Sequence, residues 1–314
     1  MKNIWIIAAG VILLFGDRAV GQTPSASQAE QQVVIDFAGR LAGKPFACGS
    51  QYEGVGISKT LVNPQDLRFF VSNVQVLRAD GTAVPVALDQ DGIWQYKSVA
   101  LIDLEDGTGA CRNGNSGTHR TVKGNVPSGT YVGLRFTVGV PAELDHIDPT
   151  QAASPLNMTA MFWNWQFGYK FIRAEVAAVV AADGKTNSAK DSTNNDHSTK
   201  AKSGEMRSAG FPVHIGSTGC AGPGFTSPPI SACKNANLVQ VDFPKFDAAK
   251  DIVIFDLDKL LAESDITTNT PDTPPGCMSG ESDPDCVPVM KALGLVFRGV
   301  TPPRQVVFYA EPKP

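Results

Sequence analysis

The sequence predicts a mainly β protein, an antiparallel sandwich or barrel-like single domain with long loops, one or two short helices and three disulfides. Three observations carry this prediction. Val33, Ile35 and Phe37 alternate with Val34, Asp36 and Ala38, and Leu134, Phe136, Val138 and Val140 alternate with Arg135 and Thr137; a period of two gives a strand two unlike faces. Most strand-length apolar runs end in Gly, Pro, Asn or Asp, as strands do. Helical periodicity is sparse and no repeat is visible, which argues against alternating βα units and against a solenoid.

At the amino terminus, Lys2 precedes the apolar run 4–15, and Ala19-Val20-Gly21 follows. A positive start, a short apolar stretch and small residues at a cleavage point make a signal peptide. The run is short for a bilayer span, which needs about 20 residues. Cleavage after Gly21 is expected, leaving 22–314 as one periplasmic or secreted domain with no later membrane span. Strands are then expected over 33–38, 67–77, 84–88, 94–104, 131–140, 158–180, 209–215, 238–243, 252–256 and 304–310. Leu257, Leu260 and Leu261 form one face of a short helix starting near Asp256. Residues 287–293 make a second, with Pro288 in its first turn. The stretch 182–208 is almost wholly small, polar or charged; it buries too little to order itself and reads as a loop between two strands.

An exported chain with 6 Cys is most simply a chain with three disulfides. Local loop closure favours Cys220–Cys233 and Cys277–Cys286, leaving Cys48–Cys111. No C-x-x-C pair points to a thiolate metal site instead. Lys+Arg 27 against Asp+Glu 31 gives a net charge of -4, which excludes a typical polyanion binder. Gly216-Ser217-Thr218-Gly219 lacks the strand–turn–helix setting of a nucleophile elbow. Asp103, Glu105 and Asp106 lack the ligand spacing of a calcium loop.

The most unusual segment is Met161-Phe-Trp163-Asn-Trp165-Gln-Phe167-Gly-Tyr-Lys-Phe171. On a continuous strand Met161, Trp163, Trp165 and Phe167 share one face, where aromatics ordinarily fill a core. Two histidines accompany it: His146 in Asp145-His-Ile-Asp-Pro149, and His214 in His214-Ile-Gly-Ser-Thr-Gly-Cys220. Of the other two, His197 lies in the polar insert and His119 is expected in solvent. Together with DLRFFVSNV (66–74), GVP (139–141), SPLN (154–157), Cys233, Cys277 and Cys286, these pieces resemble the MbnP-like family, the four-Cys-motif proteins of metallo-mystery pair systems. The likeness runs through nearly all of the exported chain in the family's order.

The resemblance implies a β-rich exported protein of copper homeostasis, paired with a diheme c-type cytochrome of the MauG-like peroxidase class. That partner is understood to oxidise a W-x-W tryptophan to kynurenine, and the product is associated with copper. Trp163 is the preferred target and Trp165 the alternative. His146 and His214 suit copper as neutral imidazoles, and Met161 offers a soft thioether for Cu(I). On this reading the chain is the substrate of an enzyme and not itself a catalyst. The competing reading is a disulfide-stapled sandwich that binds a saccharide or a protein through exposed Trp163 and Trp165.

Overall fold

The computed structural model describes residues 29–112, 114–179 and 208–314. The expected signal peptide 1–21 and nearly all of the insert 182–208 lie outside the described residues. Two sheets face each other. The first holds β1 (Glu30–Leu41), β2 (Lys44–Pro45), β6 (Ala87–Leu88), β9 (Thr121–Pro127), β16 (Asp251–Asp256) and β17 (Phe308–Pro312), ordered β17-β16-β1-β9-β6 with β2 on β1. The second holds β3 (Tyr52–Val55), β4 (Thr60–Leu77), β5 (Ala83–Pro85), β7 (Gln95–Tyr96), β8 (Val99–Asp103), β10 (Gly133–Val138), β13 (Ile172–Val179), β14 (Ser208–Ile215) and β15 (Val239–Phe243). Its main order is β14-β13-β4-β10-β15. Pairing is antiparallel except where β1 runs parallel to β16, from Asp36 opposite Ile252 to Arg40 opposite Asp256.

The main core lies between the sheets. Phe37 of β1, Phe69 of β4, Phe136 of β10 and Phe255 of β16 meet there, with ring centroids 5.9 Å apart for Phe37–Phe69 and 5.7 Å for Phe37–Phe136. Such edge-to-face packing suits the ring quadrupoles. The middle of β4 is buried on both faces. Phe69 and Val71 point into the main core, while Phe70 points outward into a second core with Leu101, Leu144, Leu156, Met161 and Tyr169. A cap therefore covers the outer face of the second sheet.

All three disulfides form as loop closure favours: Cys48–Cys111, Cys220–Cys233 and Cys277–Cys286. Both expected helices are present after α1 (Ala142–Asp145): α2 (Leu257–Leu261) and α3 (Cys286–Ala292). Asp256 caps α2 by accepting the N–H groups of Asp258 at 3.0 Å and Lys259 at 3.3 Å. The run 158–180 is not one strand, contrary to expectation. A 3-10 turn over Thr159–Met161 leads into a hairpin, β11 (Phe162–Asn164) and β12 (Gly168–Tyr169), before β13 begins. The cause is local. The side-chain oxygen of Asn164 accepts the N–H groups of Gln166 and Phe167, both at 3.0 Å, and this Asx turn reverses the chain.

Candidate metal centre

Strands β10 and β13 lie along the same edge of β4, and residues 139–171 connect them. Gly139 N–H donates to Phe70 O and Phe70 N–H donates to Phe171 O, both at 2.9 Å, so the connection opens and closes at one residue. Gly139 has φ 139°, and a Cβ there would stand 3.0 Å from the Phe171 ring, so a side chain is excluded twice. This connection is the cap, and its motifs hold one another. Asp145 accepts Tyr169 N–H at 2.9 Å and the Ser217 hydroxyl at 2.6 Å, and the Tyr169 hydroxyl donates to Leu156 O. Four separated sequence pieces thus meet at two side chains. Burial pushes the Asp145 carboxyl up to about 7, against the lowering by Ser217 and Tyr169.

His214 sits on β14 between Val213 and Ile215, which enter the main core, so its own side chain faces the cap. It is buried, at 8% exposure. Its Nε2 lies 2.7 Å from Glu175 Oε1 on β13. Glu175 also accepts Arg173 Nε at 2.7 Å, and Arg173 reaches Asp66 at 3.1 Å. Desolvation alone would raise Glu175; hydrogen bonds from His214 and Arg173 outweigh it and hold the carboxyl down at about 2. Burial moves His214 below its ordinary value, so the imidazole is neutral and donates Nε2–H to a carboxylate. That is the arrangement in which a carboxylate orients a metal-binding histidine, and a metal would be taken through Nδ1.

The Trp163 ring packs on His214 at a centroid distance of 6.4 Å and edge-on to Phe167 at 6.5 Å. A cavity of about 530 Å³ opens beside it, lined by Trp163, Asn164, Phe167, Pro274, Met278 and Glu281. Met278 is held level with His214 by backbone contacts. Cys277 pairs with Val213 as a parallel bridge, His214 N–H donates to Cys277 O at 2.8 Å, and the Ser279 hydroxyl donates to His214 O at 3.0 Å. Gly216 leaves room for the indole: a Cβ there would stand 2.6 Å from Trp163 Cζ3. Trp163 and Met278 thus line one cavity, and the His214 imidazole packs against the indole without lining the cavity itself; a thioether and a neutral imidazole are both donors that suit Cu(I).

The other expected residues lie elsewhere. Met161 is fully buried in the second core, where its sulfur packs as filler, and Met278 takes the position beside Trp163. Trp165 stands edge-on to Phe162 at 6.5 Å and its backbone N–H donates to Phe225 O at 3.2 Å, so Met161, Trp163, Trp165 and Phe167 do not line up on one strand face. His146, at the end of α1, has Nδ1 3.2 Å from Trp165 O, and Nε2 3.3 Å from Asp145 Oδ2 and 3.4 Å from Cys233 Sγ. It lines a second cavity of about 490 Å³. The structure therefore brings His214 and Trp163 together and sets His146 against the Cys220–Cys233 disulfide. His119, expected in solvent, is half-buried: it stacks on Trp94 at 5.1 Å and its Nδ1 lies 2.7 Å from Leu101 O. Among the described residues, the tight groups of His, Cys, Asp and Glu donors are His146–Cys220–Cys233 and Cys48–Glu105–Cys111, and both rest on disulfide sulfurs.

A disulfide-stapled β-sandwich whose cap sets Trp163 against a buried histidine beside a cavity is the class that these features define. The chain belongs to the MbnP family, whose model matches residues 30–279. Among solved structures it is similar to MbnP from Methylosinus trichosporium, at 29% identity over 90% of this chain and 99% of that one, with a TM-score of 0.71. No curated protein matches it.

Proposed function

We propose that this is an exported copper-binding protein of copper homeostasis, whose Trp163 is oxidised to kynurenine by a diheme peroxidase of the MauG-like class. The observation that supports it best is His214, oriented by Glu175, packed against a Trp163 ring that shares a cavity with Met278. Two equivalents of peroxide would be reduced to water at the partner's heme as the indole C2–C3 bond is cleaved and each of these carbons takes one oxygen, and hydrolysis of the resulting N-formyl group then releases formate. An aryl amine and a ketone replace an N–H group that could only donate. His214 and Met278 would hold Cu(I), with the opened ring beside them. His146 lines a different cavity, and among the described residues no histidine ring packs on Trp165 as His214 packs on Trp163, so Trp163 is favoured as the target. Among the described residues no helix is long and apolar enough to cross a membrane; export rests on the signal-like start of the sequence.

The test is peptide mass mapping of protein made with and without the heme partner, with copper measured in each. The expected result is a carbon lost and an oxygen gained at Trp163 only with the partner, together with bound copper that His214→Ala abolishes. Intact Trp163 in copper-loaded protein would refute it. The saccharide-platform reading has less support, because both rings are partly covered and held edge-on by Phe167 and Phe162.

A further inference from the structure

His146 has no part in the pocket above, yet it is not idle packing. Its Nδ1 faces the Trp165 carbonyl, which only accepts, so the ring proton is assigned to Nδ1. The Nε2 lone pair is then turned between Cys233 Sγ, 3.4 Å away, and Asp145 Oδ2, 3.3 Å away; burial pushes the Asp145 carboxyl up to about 7, and its protonated form can donate to that lone pair. His146 Nε2 and the sulfurs of Cys220 and Cys233 all lie within 4.8 Å of one another. Oxidised, the sulfurs are poor ligands; as thiolates they would complete a Cys2His set of soft donors.

This disulfide is also the accessible one. Cys48, Cys111, Cys277 and Cys286 are buried at 2% exposure or less, whereas Cys233 is partly exposed and lines the 490 Å³ cavity together with His146. The bracketed segment 221–232 carries no charged residue and three prolines, and it presents Phe225 and Ile230 to solvent at 61% and 81% exposure. It lies over the cap without a salt bridge to hold it.

We infer that Cys220, Cys233 and His146 form a second, redox-gated site for a soft monovalent cation, latent while the disulfide is intact. A dithiol reductant breaks the Cys220–Cys233 S–S bond by exchange, giving up two electrons and two protons and becoming a disulfide itself. Each of the two thiols then releases its proton to solvent as the cation binds, and neutral His146 adds its Nε2 lone pair. The site is independent of the Trp163 pocket and does not need the kynurenine.

The experiment uses full-length exported protein carrying His214→Ala, so that the Trp163 pocket contributes nothing. Limited dithiothreitol treatment is followed by differential alkylation and peptide mass mapping. Cys220 and Cys233 should label first, with the other four cysteines protected. Cu(I) is then titrated in competition with bicinchoninic acid. Reduced protein should take up one more Cu(I) than oxidised protein. His146→Ala should weaken that uptake by about tenfold or more, and Cys220→Ser with Cys233→Ser should abolish it while circular dichroism shows the sandwich intact. Equal uptake by oxidised and reduced protein, simultaneous labelling of all six cysteines, or unchanged affinity in His146→Ala would each overturn the proposal. Loss of copper in His214→Ala protein before reduction concerns the Trp163 pocket alone.

Discussion

Replacing Glu175 by Gln removes one negative charge from beneath His214 and leaves the shape of the side chain almost unchanged. The carboxylate binds Nε2 of His214 at 2.7 Å and Nε of Arg173 at 2.7 Å, in a setting where Glu175 is 15% exposed and His214 11% by side chain. Arg173 keeps a second partner in Asp66 at 3.1 Å, so the guanidinium is not stranded. A hydrogen bond to a charged group contributes about 1.5–3 kcal/mol, and Gln retains a neutral acceptor, so the fold should lose about 1–2 kcal/mol. The carboxylate also raises the basicity of the ring nitrogen that would meet the metal. Outer partners of this kind change metal affinity by about 10–100-fold, or about 1.4–2.7 kcal/mol. The sign of the pH effect follows from the pKa. The carboxyl is held at about 2 against an ordinary 4.5, so its stabilisation is full above about 4.5 and lost as pH falls toward 2. Cu(I) competition at neutral pH and urea unfolding at pH 7 and pH 3 measure both effects. Glu175→Gln protein with wild-type copper affinity, or with wild-type acid sensitivity, would refute the orienting role.

Met278→Leu should lower Cu(I) affinity at least about tenfold with little change in stability, whereas Met161→Leu should leave affinity intact and cost less than about 1.5 kcal/mol by thermal melting. Gly216→Ala places a Cβ 2.5 Å from Tyr169 O and 2.6 Å from Trp163; it should destabilise by about 1–3 kcal/mol and shift tryptophan fluorescence, and an unchanged spectrum would contradict the packing. Asp103 is pushed by burial up to about 7, and its Oδ1 has no hydrogen-bond partner. Its stabilisation is therefore full below the ordinary 3.8 and lost as pH rises through about 7, so Asp103→Asn should shrink the drop in melting temperature between pH 5 and pH 8.

Much of the sandwich was legible because its strands alternate apolar and polar residues, as β1 does with one face buried and the other partly exposed. The disulfides were legible because two of the three loops are short. Strand β9 escaped notice because Gly124 stands where a large inward residue would complete the alternation; a Cβ there would meet Val86 Cγ1 at 2.8 Å. The break in 158–180 was hidden because Trp163, Trp165 and Phe167 alternate with Asn164 and Gln166 at the spacing of a strand, while the reversal is made by the Asn164 side chain, which reads as one more polar residue of that alternation. The motif residues of the cap were visible, but their roles were not. His146 and His214 look alike in sequence, and what separates them is a carboxylate on a neighbouring strand in one case and a disulfide in the other. Met278 gave no signal: it lies in a Pro- and Ser-rich loop without periodicity, and only the bridge between Val213 and Cys277 brings it to the pocket.

Because the cap leaves and rejoins the sheet at Phe70, its two ends are pinned by the amide and the carbonyl of a single residue. The entropy of closing that excursion is met by sheet pairing that β10 and β13 make regardless of what lies between them. The sandwich can thus act as a socket. A cap of different length or chemistry could be exchanged there without altering strand order, register or the main core. Divergence of ligand preference among chains with this scaffold should accordingly concentrate in residues 139–171 and in the segments that lean on them, while Phe37, Phe69, Phe136 and Phe255 change slowly.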